Sequence, residues 1–213
     1  VFLPADLAHA GRHTAALQAL GIEAWYAPFA GRLSRWLREH GPRFDAVMVS
    51  RHYVLRELLP LLRRHAPAAR IVFDSVDLHF VRERRTARLA GDEVLARSAE
   101  ATRVRELEMV RASDATVVVS GEEAALLARE VPGAQVEVLS NVHEVAGPGL
   151  PFERRGDLVF VGGFRHPPNV DAARWFCREV FPRVRERLSA VRFHCIGEGP
   201  PDEIARLDGR DGI

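Results

Sequence analysis

The chain has 213 residues, of which 47% are apolar and 28% are charged, and its formal net charge is +1. These values are ordinary for a globular protein with one large or two small domains, and they argue against a protein that binds polyanions through its overall charge. Cys177 and Cys195 form no CxxC pair, which argues against a disulfide framework and favours buried thiols in a reducing compartment. No apolar run approaches the roughly 20 residues of a membrane span, so we expect a cytoplasmic protein, with contact to the inner membrane face left open.

Short apolar strands alternate with longer amphipathic helices along the first part of the chain, which predicts a parallel α/β sheet. The predicted strands are 1–3, 24–26, 46–50, 70–74, 115–120 and 136–139. The predicted helices are 11–20, 33–40, 54–65, 80–112 and 122–130.

A Gly- and Pro-rich stretch at 146–153 predicts a domain boundary, which separates a domain at 1–145 from a second at 154–213. In the second part we predict strands at 158–161 and 191–196 and helices at 170–188 and near 203–207. Asn169 is predicted to be the N-cap of the longer helix, and Pro182 is expected to kink or split it.

Glycines follow both predicted strands of the second part. Gly162 and Gly163 precede a short loop with Arg165 and a helix, while Gly197 and Gly199 follow the next strand. Such loops let the backbone approach phosphate oxygens, and a helix N-terminus adds free N–H groups and a positive dipole. The alternative is that these glycines serve only tight turns. Two such loops at one sheet edge favour a nucleotide site.

The segment VFVGGFRHPPNVDAARWFCREVFPRVRERLSAVRFHCIGEGPP, at 159–201, resembles the start of the donor-binding domain of GT4-like retaining glycosyltransferases of the GT-B fold, the glycosyltransferase group 1 family. Upstream, DATVVVSGEEAALL and VEVLSNVHE resemble the last major strand of the acceptor domain and the crossover between domains; Ser140 and Val142 replace the usual Pro and Gly. The resemblance implies two Rossmann-like domains with parallel sheets, the first on the acceptor side. The donor-binding residues that it implies are Asn141, Gly162, Gly163, Phe164, Arg165, Gly197 and Glu198.

The segment IVFDSVDLHFVRERR, at 71–85, resembles the acceptor-domain strand and loop that carry a His-Asp pair in many relatives. Here Val76 precedes Asp77 and the histidine follows two positions later, so Asp77 and His79 are the candidate catalytic residues. Asp77 could instead be the N-cap of the next helix, and His79 could pack against its first turn. Ser50, Arg51 and His52 follow the strand at 46–50 and are expected at the ligand edge of a parallel sheet. Ser50 and Arg51 are candidate acceptor-side residues, with a surface loop as the alternative.

The sequence offers little support for a metal or for nucleic acid. His9 and His13 are four residues apart, but no third ligand follows at a suitable spacing, so no metal site is predicted. The resemblance also implies no cofactor, with a nucleotide-diphosphate sugar as substrate and a sugar, lipid-linked or other acceptor as partner. The arginines near 82–88 and the acids that follow, Glu106 among them, predict a solvated helix with i,i+4 pairs, although a lipid or phosphate-rich acceptor site is an alternative. No aromatic interleaving of a nucleic-acid binder is present.

The resemblance further implies that both domains are incomplete. The first strand and Gly-rich loop of the acceptor domain and the later part of the donor domain would lie outside this chain. We therefore expect the chain by itself to show no turnover. Two alternatives to a glycosyltransferase stay open: a nucleotide-sugar epimerase, and a non-catalytic module of the same fold that binds a nucleotide or a protein partner.

Overall fold

The computed structural model describes residues 1–213 and contains two compact units, Val1–Val142 and His143–Ile213. Each unit has a sheet in which every strand pairing is parallel. Parallel strands need long crossover connections, which helices provide here. The predicted α/β class with parallel sheets is therefore confirmed. The acceptor and donor roles of the two predicted domains stay predictions.

The first unit contains a four-stranded sheet in the order β1-β2-β3-β4. Its strands are β1 (Ala46–Ser50), β2 (Arg70–Asp74), β3 (Ala115–Val118) and β4 (Val136–Val138). Its helices are α1 (Arg12–Ala19), α2 (Leu33–His40), α3 (His52–His65), α4 (His79–Ala90), α5 (Glu93–Ala112) and α6 (Gly121–Glu130). Because the pairings are all parallel, the carboxyl ends of these strands meet at one edge of the sheet.

The core of this unit lies between the sheet and its helices. Ile71 and Phe73 of β2 are fully buried, and Leu55 of α3 and Leu127 of α6 belong to the same apolar cluster. Removing an apolar side chain of this size from water contributes about 1.5–3 kcal/mol to folding. The cluster therefore holds these helices against the sheet.

The predicted strands at 1–3 and 24–26 are reduced to one parallel bridge between Phe2 and Ala24. Phe2 donates to the Glu23 carbonyl and Trp25 donates to the Phe2 carbonyl, and the pairing extends no further. The apolar pattern thus correctly predicted extended backbone in both segments, but they share a single bridge and do not form paired strands.

The helix predicted at 80–112 consists of two helices that pack against each other, α4 and α5. Gly91 has a left-handed backbone with φ of 62°, and the Asp92 carboxylate accepts the N–H groups of Val94 and Leu95 as an N-cap. A Gly-Asp pair thus ends one helix and starts the next. Even α5, with 20 residues, lacks the apolar length to cross a membrane, and so do the other helices.

The second unit contains two paired strands, β5 (Leu158–Val161) and β6 (Phe193–Ile196). Its helices are α7 (Pro167–Trp175), α8 (Phe181–Arg187) and α9 (Asp202–Ala205), with a π-helical turn at Phe176–Val180 between the first two. Pro182 lies in the first turn of α8, which confirms the predicted break in the long helix. The aromatic rings of Phe176, Phe181 and Phe193 form part of the core.

Asn169 is not an N-cap, contrary to the prediction. The helix α7 begins at Pro167, two residues earlier, and His166 is its N-cap residue. Proline fits the first helical positions because its ring already holds the helical φ and its missing N–H would have no partner there. The Asn169 side chain instead donates a hydrogen bond to the Gly163 carbonyl at 2.9 Å.

Candidate functional site

The loops after β5 and β6 lie side by side at the carboxyl edge of their sheet. Gly162 N–H donates to the Ile196 carbonyl at 2.9 Å, and Phe164 N–H donates to the Glu198 carbonyl at 3.0 Å. A Cβ added at Gly197 would lie 1.9 Å from the Gly162 carbonyl oxygen. The structure therefore brings the two predicted glycine loops together, and the close backbone approach requires a glycine at position 197.

Gly163 is the open position of the first loop. It is exposed, and a Cβ added there would contact no other atom. The backbone N–H groups of Gly163 and Arg165 donate no hydrogen bond within the chain. Because Asn169 holds the Gly163 carbonyl, the loop is fixed with two backbone donors left unpaired.

The first turn of α7 offers fewer backbone donors than the sequence suggested. Pro167 and Pro168 carry no N–H group, and the N–H of Asn169 donates to the His166 carbonyl at 3.0 Å. The expected free N–H groups of this helix start are therefore missing, although the helix dipole remains. The donors that can reach an anion belong to the preceding loop.

Arg165 and Glu198 form an ion pair across the two loops. The guanidinium lies 3.1 Å from the carboxylate, and the two side chains are 83% and 81% exposed. Exposed pairs of this kind contribute little to stability, so an incoming anion can displace Glu198 at small cost. Phe164, by contrast, is buried with Ala173 and Ile204, so its side chain anchors the loop in the core.

Ser50 and Arg51 lie at the carboxyl end of β1 in the first unit. Ser50 Oγ donates to the Asp74 carboxylate at 2.7 Å, and the Arg51 guanidinium lies 3.5 Å from His79 Nε2. Arg51 and Val76 have φ values of 76° and 65°, although neither is glycine. Such strained backbone is rare, above all for a β-branched residue, and it concentrates at functional sites.

Both candidate acceptor-side residues also border a groove of about 600 Å³ beside β1. Apolar side chains of α2, β1 and α3, including Trp36, Val47 and Leu58, line most of this groove. Ser50 and Arg51 therefore place polar groups at the border of an apolar surface.

Asp77 and His79 lie together just after β2. The Asp77 carboxylate accepts a hydrogen bond from Arg82 at 2.5 Å, and the Asp77 carbonyl accepts one from His79 Nδ1 at 3.0 Å. Because a carbonyl oxygen can only accept, this contact assigns a proton to His79 Nδ1. The alternative role of Asp77 as an N-cap is wrong, since Leu78 is the N-cap residue of α4 and the N-cap position supplies no side-chain hydrogen bond.

Glu106 completes this site, although the sequence predicted a solvated residue. It is fully buried, and its two carboxylate oxygens accept the N–H groups of His79 and Phe80, each at 3.2 Å. Contact with this carboxylate raises the pKa of His79, while burial opposes the increase. The prediction is wrong because Glu106 lies on the buried stripe of α5. The spacing of that stripe, at Ala99, Thr102, Glu106 and Val110, was a usable signal.

His52, at the start of α3, also belongs to this cluster. It is buried, and its ring centroid lies 5.1 Å from that of His79 at an interplanar angle of 83°. Burial lowers the pKa of His52, and the nearby Glu106 carboxylate acts in the opposite direction. His52 Nδ1 has no hydrogen-bond partner.

Asn141 is not brought to either of these sites within its unit. It lies in the exposed segment after β4, and its side chain makes no hydrogen bond. Its predicted contact with a donor stays a prediction.

Residues 155–213 match the family model described as Glycosyl transferases group 1. The matched range includes both glycine loops, β5, β6 and the helices between and after them. This is the same family that the sequence at 159–201 resembles. A comparison with curated proteins finds no match to this chain.

Proposed function

We propose that this protein transfers a sugar from a nucleotide-diphosphate sugar to an acceptor, in the manner of GT4-like retaining glycosyltransferases. The observation that carries the proposal is the match of residues 155–213 to group 1 glycosyltransferases, in a unit whose paired loops leave backbone donors and an exposed arginine at one sheet edge. Ligands of open parallel sheets bind at this edge.

The donor diphosphate is the group that these loops would bind. In the proposed complex, the Arg165 guanidinium exchanges Glu198 for a phosphate oxygen, and the N–H groups of Gly163 and Arg165 donate to the same group. The dipole of α7 adds positive potential. As the bond between the sugar and the diphosphate breaks, negative charge develops on the diphosphate. Fixed hydrogen-bond donors and a cation stabilise this charge. We propose no metal or cofactor for this step.

In the first unit, we propose that Asp77 and His79 act on the sugar in the transfer and that Ser50 and Arg51 bind the acceptor. The Asp77 side chain is 31% exposed, so its carboxylate is accessible to a hydroxyl group. The acceptor class stays a sugar, a lipid-linked sugar or another alcohol, and we propose no nucleic-acid partner. We place the activity in the cytoplasm, in line with the two free cysteines.

Arg165→Ala tests the donor site. Thermal melts of the complete gene product with UDP-, GDP- and ADP-sugars identify the donor, because a ligand that binds the folded state raises the melting temperature. The substitution should then weaken that donor about tenfold or more, since a charge-assisted hydrogen bond contributes about 1.5–3 kcal/mol. Arg178→Ala removes an exposed arginine farther along the same helical stretch and should leave the affinity unchanged. Equal affinities of wild type and Arg165→Ala would contradict the assignment.

A transfer assay with radiolabelled donor, run on the complete gene product because the chain by itself is expected to show no turnover, separates the enzyme from the alternatives. For the retaining enzyme we expect label in an acceptor product. NMR of this product should show the same anomeric configuration as in the donor. Donor binding without transfer in the presence of candidate acceptors would favour a non-catalytic module. A changed free sugar in the absence of acceptor would favour an epimerase.

A further inference from the structure

Three buried side chains from three helices converge at the carboxyl edge of the sheet in the first unit. His52 begins α3, His79 begins α4, and Glu106 lies within α5. Their potential ligand atoms all lie within 4.8 Å of one another. Glu106 Oε1 is 3.5 Å from His79 Nδ1 and 3.6 Å from His52 Nδ1.

Two of these separations, from Glu106 to each histidine, are close to those of a metal's coordination shell. Zinc binds imidazole nitrogen and carboxylate oxygen at about 2.0–2.2 Å, so two ligand atoms of a tetrahedral site are about 3.3–3.5 Å apart. The observed distances of 3.5 and 3.6 Å exceed that separation by only a few tenths of an ångström. They are longer than the usual N–H···O hydrogen bond of about 2.7–3.2 Å.

His52 supplies a second, independent observation. Only 6% of this residue is exposed, and its Nδ1 atom faces the Glu106 carboxylate without a hydrogen-bond partner. A buried polar atom without a partner is unfavourable. A cation shared by the carboxylate and both imidazoles would satisfy this atom.

We propose that His52, His79 and Glu106 bind one Zn²⁺ ion through the two Nδ1 atoms and Oε1. Two histidines and one carboxylate are a zinc ligand set that keeps a further position open. Asp77 is placed to fill or border it, because its Oδ1 lies 3.7 Å from His79 Nδ1. The site involves neither His9 nor His13.

The surroundings of the ligands suit this role. The N–H groups of His79 and Phe80 hold the Glu106 carboxylate, which is the outer-shell support that orients metal ligands. Zinc at His79 Nδ1 would take the place of the proton on that atom, so the hydrogen bond from Nδ1 to the Asp77 carbonyl is lost and the neutral ring carries its single proton on Nε2. The Arg51 guanidinium, now 3.5 Å from Nε2, then turns away from the ring. The ion would thus join the starts of α3 and α4 to α5 and release Arg51.

Metal titration of the whole chain tests the proposal independently of any transferase activity. Protein stripped with EDTA and dialysed is titrated with ZnCl₂, with MgCl₂ at equal concentration, and with CoCl₂. We expect one strongly bound Zn²⁺ per chain with a higher melting temperature, no effect of Mg²⁺, and the visible absorption of tetrahedral Co²⁺. His52→Gln should weaken this binding at least about tenfold, since even outer-shell changes weaken metal binding 10–100-fold.

The control is the double variant His9→Gln/His13→Gln, which removes an exposed histidine pair from the surface. It should keep the strongly bound ion and the Co²⁺ spectrum. Melts of His52→Gln in EDTA verify its fold, and His79→Gln gives a second variant if that fold is lost. The proposal is overturned if the wild type shows no saturable binding at one ion per chain. It is also overturned if the surface double variant loses the ion while folded His52→Gln and His79→Gln retain it.

Discussion

Glu106→Gln tests whether a buried carboxylate from α5 supports the start of α4. The substitution keeps the size and shape of the side chain but removes its charge. In the wild type, one oxygen accepts the N–H of His79 and the other accepts the N–H of Phe80. A glutamine has one oxygen and one NH₂ group, so one of these two backbone groups would face a donor instead of an acceptor.

The expected loss follows from these two contacts. The retained bond weakens from a charge-assisted bond of about 1.5–3 kcal/mol to a neutral one of about 0.5–1.5 kcal/mol. The other N–H becomes a buried donor without a partner, which costs about 1–3 kcal/mol. We therefore expect Glu106→Gln to lower the free energy of unfolding by about 3 kcal/mol.

Urea unfolding in EDTA measures this loss without any contribution from metal. Tryptophan fluorescence, measured in a Trp175→Phe background so that the second unit does not contribute, follows the first unit through Trp25 and Trp36, which pack edge to face. With a slope of about 1–3 kcal/mol per molar urea, the midpoint should fall by about 1–3 M. Glu108→Gln, an exposed glutamate on the same helix, should stay within about 0.5 kcal/mol of the wild type. Equal midpoints for the two variants would refute the capping role of Glu106.

Three further predictions concern other parts of the chain. Hydrogen bonds from Arg63 and from the Ile71 N–H lower the pKa of Asp114. The ionised Asp114 therefore stabilises the folded chain above its unfolded pKa of about 3.9, and this contribution is lost as pH falls through the lower folded pKa. The stability advantage of wild type over Asp114→Asn in urea unfolding should therefore be largest near neutral pH and vanish in strong acid; a constant difference would contradict this. Gly197→Ala should lower the melting temperature measured by calorimetry, because the alanine Cβ would lie 1.9 Å from a carbonyl oxygen of the neighbouring loop. An unchanged melting temperature would show that the loops can separate freely. Burial raises the pKa of the Cys177 thiol, so iodoacetamide should label this cysteine much more slowly in the folded chain than in urea, as followed by mass spectrometry; equal rates would exclude a buried thiol.

The glycine loops illustrate how far local sequence reaches in the candidate donor site. Their position after β5 and β6 follows from apolar runs that end in glycine, and parallel pairing then brings both loops to one edge. The sequence did not show why each glycine is needed. The close approach at Gly197 and the openness at Gly163 depend on the neighbouring loop, which is distant along the chain.

The positions of the helix starts were likewise only partly predictable from the sequence. The pattern predicted a long helix after Asn169, but two prolines move its start to Pro167 and remove the first backbone donors. The positive φ of Arg51 and Val76 was not predictable either, because neither residue type favours that region and only the folded chain around each residue can hold it there.

By itself, the sequence determined the strands β1, β2 and β5 and the helix α2 to the residue, since periodic apolar runs bounded by Gly, Pro and polar residues are local signals. It also determined the similarity of the second unit to group 1 glycosyltransferases. Only the tertiary structure decided that Glu106 is buried and joins His52 and His79 in one cluster. The physical reason is that a charged residue on a helix is solvated or buried according to the partners that packing brings to it, and here those partners come from other helices.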